Sequence, residues 1–139
     1  MDSETARIEH LKIIQAVIER LGRNSFAIKA GALTAFAGLI AASLGIDQWL
    51  VSLAGIIPVV LLWSLDAFWI RYERLYRILY DEVRIGEAPS IGSNKYMSMT
   101  TNHLDTQVAG ILKIMFARTL PLFYGPLVIV LLIISIVSI

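Results

Sequence analysis

The sequence predicts an all-α integral membrane protein, with three transmembrane helices plus cytosolic helices at the N-terminus and in the middle of the chain. Hydrophobic residues make up 57% of the 139 residues, and the mean hydropathy is +0.70. An ordinary soluble domain is less apolar. Three apolar runs also have about the 20 residues that a helix needs to cross the hydrocarbon core. The sequence contains no cysteine, which excludes disulfides, thiolate metal ligands and cysteine nucleophiles.

Residues 1–24 are predicted to form a cytosolic amphipathic helix. Apolar residues recur there at three- and four-residue spacing, the period of one helix face. This N-terminal stripe would either pack on a partner helix or lie on the membrane surface. Interleaved glutamates favour packing, since the polar face of a surface anchor is rich in Lys and Arg. The stripe consists of Ile8, Leu11, Ile14, Ile18 and Leu21.

A transmembrane hairpin is predicted over residues 25–70, with spans at 25–44 and 49–70 joined by a tight turn. A C-terminal transmembrane helix is predicted over residues 119–139. The first span carries small residues at four-residue spacing, a pattern typical of close helix packing in lipid, so we expect a helix interface there. This small-residue ridge consists of Ala30, Thr34, Gly38 and Ala42, with Gly31 and Ala35 beside them.

All twelve Lys and Arg residues fall on one side of the predicted spans. Five lie at or before the start of the first span and seven lie from Arg71 to Arg118. The positive-inside rule therefore predicts a cytoplasmic N-terminus and a C-terminus on the opposite side of the membrane.

Two charged residues inside the predicted hairpin lie at the same depth. A turn centred near Asp47 places Lys29 and Asp66 at 18 and 19 residues from its centre. A charge in hydrocarbon needs a partner. We therefore expect an intramembrane ion pair, within one chain or between neighbours. In the alternative, Lys29 snorkels to the interface and Asp66 is hydrated there.

Residues 71–118 are predicted to form a cytosolic helical region. The second helix should continue to Val83 or Ile85, because Gly86 is the first helix breaker. A loop then leads to a further amphipathic helix, from Tyr96 or Ser98 to Arg118.

The same region carries the candidate phosphate ligands. Three arginines repeat every three residues and share a broad helix face, and guanidinium groups match the geometry of phosphate. In the alternative, they anchor the topology and pair with Glu73, Asp81 and Glu82. The candidates are Arg71, Arg74, Arg77, Arg84 and Lys95.

No motif indicates an enzyme. His10 and His103 are isolated, and neither belongs to a metal-binding spacing. Phosphate loops, nucleophile elbows and dinucleotide fingerprints do not occur in the sequence. We therefore expect no catalytic residue, no metal and no cofactor.

Two segments of the first 85 residues carry a family resemblance. They are HLKIIQAVIER at residues 10–20, followed by Asn24-Ser25-Phe26 and Lys29, and Glu73-Arg74-Leu75-Tyr76-Arg77 with Leu79-Tyr80-Asp81. These segments resemble those of small bacterial transmembrane effectors of anti-phage defence, such as the membrane channel subunit of the Hailong system. The resemblance implies an oligomeric channel or pore in the bacterial inner membrane, with the C-terminus in the periplasm, encoded beside a nucleotidyltransferase whose nucleotide or single-stranded DNA product gates it. An open pore would depolarise this membrane.

Within that resemblance we expect a homo-oligomer, with a tetramer favoured, that associates through the small-residue ridge and the N-terminal stripe. The arginines of several subunits would hold the anionic signal, and Ser135 and Ser138 are the candidate pore-lining residues. Two alternatives remain. The chain is either a non-channel accessory subunit that docks a cytosolic enzyme, or a membrane toxin that needs no ligand.

Overall fold

The computed structural model describes residues 3–43, 48–86 and 96–137, and the regular structure in these ranges is entirely helical. Three of the helices are long and apolar enough to cross a membrane. The prediction of an all-helical chain with three such helices is confirmed. In chain order the elements are α1 (Ser3–Ser43), α2 (Gln48–Ile85), a 3₁₀ helix (Asn102–Gln107), α3 (Ile111–Met115) and α4 (Thr119–Val137).

The first two helices are much longer than a membrane crossing requires. α1 has 41 residues and α2 has 38, so each is about 60 Å long, roughly twice the thickness of the hydrocarbon core. α1 runs unbroken from the polar segment into the apolar one, and α2 runs unbroken through Pro58 into its arginine-rich part. α2 ends at Ile85, as the breaker at Gly86 predicts.

α1 and α2 pack antiparallel in one register along their length. Gly22 faces Glu73, Lys29 faces Asp66, and Leu39 faces Gly55. A Cβ atom at Gly55 would lie 2.8 Å from Leu39 Cδ1, so the Leu39 side chain occupies the space that a side chain at position 55 would need. This register is the one that a turn near Asp47 predicts, although the turn itself lies outside the described residues.

Two apolar cores follow one another along the hairpin. The first lies among the apolar halves of α1, α2 and α4, and includes Val59, Leu127 and Leu131. The second joins the charged halves and contains Ile14, Ile18, Leu75, Leu79 and Leu104.

The N-terminal stripe packs on α2 of its own chain. Ile14, Ile18 and Leu21 are buried, whereas Ile8 is 46% exposed. Of the two alternatives for the stripe, packing on another helix or lying on the membrane surface, the structure shows the first, and that helix is α2 of the same chain. The three buried residues are unavailable for the subunit contacts that we expected of them.

The predicted amphipathic helix over residues 96–118 is wrong. The chain there forms a turn, an irregular stretch, the 3₁₀ helix and the five-residue α3. Ser98, Thr100, Thr101 and Asn102 compete with the backbone for hydrogen bonds, which disfavours a helix interior. Gly110 is extended, at φ −62° and ψ 160°, and separates the two short helices. These polar residues and Gly110 therefore prevent the single helix that the spacing of apolar residues predicts.

Because Leu39 packs against Gly55, we expect replacement by alanine to have different effects at Gly55 and at Gly22. Gly22→Ala should raise the free energy of unfolding by about 0.5–1 kcal/mol, because alanine favours a helix over glycine and the new Cβ has its nearest contact at 3.9 Å. Gly55→Ala should not, since Leu39 must move. The measurement is unfolding of the purified chain in detergent, followed by circular dichroism. Equal stabilisation at both positions would contradict the packing described here, and Leu39→Ala should recover the gain at Gly55.

Candidate functional site

Asp66 is fully buried on α2 and takes one ion pair and two hydrogen bonds from two other helices. From α1, Lys29 Nζ lies 2.6 Å from Asp66 Oδ2, and Ser25 Oγ donates to Oδ1 at 2.5 Å. From α4, the Tyr124 hydroxyl donates to Oδ2 at 3.1 Å. Lys29 Nζ also donates to Ser25 Oγ at 2.8 Å. These four residues, the Asp66 cluster, join the three long helices at one point.

The ion pair that the hairpin register predicts is thus present within one chain. Lys29 and Asp66 reach each other because they lie at equal distances from the turn. Sequence reasoning missed the other two members. Ser25 lies one turn before Lys29 and shares its helix face, and a buried tyrosine hydroxyl generally has a partner. Both signals existed in the sequence, but neither identifies Asp66 as the acceptor.

Trp63 supports the cluster from one turn earlier on α2. Its indole stacks on the ring of Tyr124, with centroids 5.8 Å apart and an 8° angle between the planes. Trp63 Nε1 also donates to the carbonyl of Met115 at 3.0 Å, which attaches the end of α3 to the same place. The position of Tyr124 is therefore held by both a hydrogen bond and an aromatic contact.

The contacts of the cluster explain how the Asp66 carboxylate is stabilised in a buried position. Removing an ion from water costs several kcal/mol, which an ion pair recovers only with good geometry and further hydrogen bonds. Asp66 has all of these. The Lys29 side chain is 30% exposed, so the ammonium group lies towards one side of the bundle. The cluster contains a neutral pair of opposite charges and two hydroxyl donors, and this arrangement fixes helix positions.

The basic candidates do not come together in one chain. Arg71 is 15% exposed and binds Asp105 Oδ1 at 3.1 Å and the Ala109 carbonyl at 3.3 Å, so it holds the 105–109 segment on α2. Arg77 pairs with Glu73 at 2.6 Å.

The other three basic candidates differ from one another. Arg84 pairs with Asp81 at 3.0 Å. Arg74 is exposed and makes no ion pair with any carboxylate in the described ranges. Lys95 lies outside the described residues. Of the predicted face, Arg74 is therefore the residue that remains available to a ligand.

The candidate pore-lining serine Ser135 has a packing role. It is 5% exposed, and its hydroxyl donates to the Trp49 carbonyl of α2 at 3.2 Å. It therefore joins α4 to α2 and does not present a free polar surface. Ser138 lies outside the described residues.

The two histidines hold the segment before α3 on the hairpin. His10 is buried and bonds to the Ser98 carbonyl at 3.1 Å, and His103 bonds to Glu82 at 3.0 Å. Within the described residues, no group of three or more His, Cys, Asp and Glu side chains could hold a metal ion.

The fold and the site define a class: an all-helical chain with three helices apolar enough to cross a membrane, joined by a buried polar cluster. No protein-family model, curated protein or solved structure matches the chain. Its function must therefore be inferred from its own residues.

The geometry predicts that Asp66→Ala will be severely destabilising. It leaves the Lys29 ammonium without its buried partner, a change that costs about 3–5 kcal/mol. Tyr124→Phe removes one hydrogen bond to a charged group and should cost about 1.5–3 kcal/mol.

Unfolding in detergent, followed by circular dichroism, measures both losses. The matched control is Asp81→Ala, which breaks an ion pair with Arg84 in which both side chains are 58% exposed and should have a much smaller effect. Equal losses at Asp66 and Asp81 would contradict a central role for the cluster.

Proposed function

We propose that this chain is the subunit of a homo-oligomeric channel or pore in the bacterial inner membrane, and that it acts as an effector of anti-phage defence. The observation that carries the proposal is the unused packing surface of α1. In the most apolar part of α1, 11% of the residues are buried, against 28% in the corresponding parts of α2 and α4.

That surface is the small-residue ridge. Ala30, Gly31, Thr34, Gly38 and Ala42 are all exposed. A Cβ atom added at Gly31 or Gly38 would meet nothing within 4 Å among the described residues. Small residues at this spacing let helix backbones approach closely in lipid. The proposal assigns α1 of a second copy to this ridge, and closed rings of identical subunits follow from such contacts when the rotation closes.

The distribution of charge supports the proposed orientation. All twelve basic residues belong to the charged ends of the predicted spans, which favours a cytoplasmic N-terminus and a periplasmic C-terminus. In this orientation, residues 3–24 of α1 and 71–85 of α2 extend together into the cytoplasm. Their shared core around Leu75 and Ile14 makes them one rigid projection.

Control by an anionic signal, like the role in anti-phage defence, rests on the resemblance. Around an oligomer axis, the exposed Arg74 of each subunit would bring several guanidinium groups together, an arrangement suited to phosphate. A nucleotide-derived or oligonucleotide ligand, made by a neighbouring nucleotidyltransferase, would then bias a closed or open state by its different affinity for the two.

Membrane potential, measured with a voltage-sensitive dye in bacteria that express the chain alone, tests the channel. Arg74→Ala is expected to change the potential relative to the wild type, because it removes the available basic group. Arg71→Ala is less informative, since Arg71 also holds the 105–109 segment. The control is Lys12→Ala, which removes an exposed cation paired with Glu9.

The other outcomes separate the alternatives. An unchanged potential with both the wild type and Arg74→Ala, in cells that express the chain well, would contradict the channel and favour an accessory subunit. Depolarisation that is equal in all variants would favour a membrane toxin that needs no ligand.

The ridge predicts that Gly31→Leu and Gly38→Leu will dissociate the oligomer without unfolding the subunit. Leucine fits the open space around each position within one chain but prevents close approach of a second backbone. The mass of the purified complex, by light scattering with correction for detergent, gives the measurement. Ala54→Leu on α2 is the control, because Ala54 is also exposed but lies off the ridge. A wild-type monomer, or oligomers that persist in both glycine variants, would contradict the assignment.

A further inference from the structure

The segment that leads into α4 runs along α2 where its apolar half gives way to its charged half. This segment, the elbow, comprises residues 111–122: α3, a three-residue turn and the start of α4. Just before it, Arg71 Nε donates to the Ala109 carbonyl, and within it the Met115 carbonyl accepts from Trp63 Nε1. If α2 crosses a membrane, the elbow therefore lies at the cytoplasmic interface.

The elbow has a buried side and an exposed apolar side. Ile114, Met115 and Leu120 are buried in the core. Leu112, Phe116 and Leu122 are 72%, 70% and 78% exposed, so the segment presents three large apolar side chains on its outer side. Clustered apolar exposure of this kind marks a surface that contacts another apolar phase or molecule.

Two cations lie among these apolar side chains without an internal counterion. Lys113 and Arg118 are exposed, and neither forms an ion pair with a carboxylate in the described part of the chain. Other basic residues of the charged halves divide into two groups. Arg7, Lys12 and Arg84 pair with Glu4, Glu9 and Asp81, whereas Arg20, Arg23 and Arg74 form no ion pair with a carboxylate in the described residues. Lys113 and Arg118 are distinguished by their place in a short segment with three exposed apolar side chains.

We propose that the elbow binds an anionic phospholipid of the cytoplasmic leaflet. Lys113 and Arg118 contact the headgroup phosphate, while Leu112, Phe116 and Leu122 contact the acyl chains. Basic groups at the end of a membrane span attract anionic lipids, and the exposed apolar side chains continue the apolar surface of α4. A free phosphate ion would use the two cations but not the apolar residues. The proposal rests on the proposed membrane location and is independent of channel activity.

Lipid binding at this point would set the depth of α4. Phe116 packs edge-on against Trp63, with centroids 5.6 Å apart, and Trp63 stacks on Tyr124, which bonds to Asp66. A headgroup held by the elbow therefore anchors the element that presents Tyr124 to the Asp66 cluster.

The test uses the full chain reconstituted in vesicles of phosphatidylcholine and phosphatidylglycerol. Spin-labelled forms of the two lipids report their relative association with the protein. We expect phosphatidylglycerol to be preferred roughly threefold or more. The double variant Lys113→Gln with Arg118→Gln should bring the ratio close to one. The matched control, Lys12→Gln with Arg84→Gln, also removes two positive charges, and it should keep the preference because those residues pair internally.

Four results would overturn the proposal. They are equal association of the two lipids with the wild type, an unchanged preference in the elbow variant, an equal loss in the control variant, and competition by inorganic phosphate at constant ionic strength. The last would indicate a soluble anion as the ligand. Failure of the chain to float with the vesicles would overturn the membrane location as well, so the two failures are distinguishable.

Discussion

The buried carboxylate of Asp66 is the constraint on which the arrangement of the three long helices depends. Apolar contacts such as those of Val59 and Leu131 are not directional, and similar side chains along the helices would fit nearly as well after a shift of one turn. The hydrogen bonds of Asp66 are directional, and an unpaired carboxylate at this position is costly. α1 must therefore present Ser25 and Lys29, and α4 must present Tyr124, at one depth and one rotation.

α2 changes along its length from an apolar half to a charged half, and Trp63 lies where the two halves meet. Beyond it, towards Ile85, ion pairs on the surface of α2 are exposed and contribute little. Arg71 is the exception, because it is mostly buried against the 105–109 segment. Trp63 contacts Tyr124, Phe116 and the Met115 carbonyl, so the Asp66 cluster and the elbow form one contiguous set of contacts.

The sequence predicted those features that depend on helix geometry alone. The pairing of Lys29 with Asp66 follows from a tight turn and a constant rise per residue, and the end of α2 follows from Gly86. Tyr124 was not predictable as a partner of Asp66. Its position along α2 depends on the path of residues 96–118, and the spacing of apolar residues wrongly predicted one helix there. The contact of Arg71 was not predictable for a related reason: its partner is Asp105, which comes from that same segment.

The cluster also determines which face of α1 is left for a second copy. At 3.6 residues per turn, Ser25, Lys29 and Ala32 share the face that meets α2, and Gly31, Thr34 and Gly38 lie on the opposite face. Glycine within a helix costs up to about 1 kcal/mol relative to alanine. At Gly31 and Gly38 no contact with the described residues offsets that cost. In the proposed oligomer, a close contact with α1 of a second copy would offset it, and the bonds that fix the rotation of α1 inside the subunit would direct its small-residue ridge towards that copy.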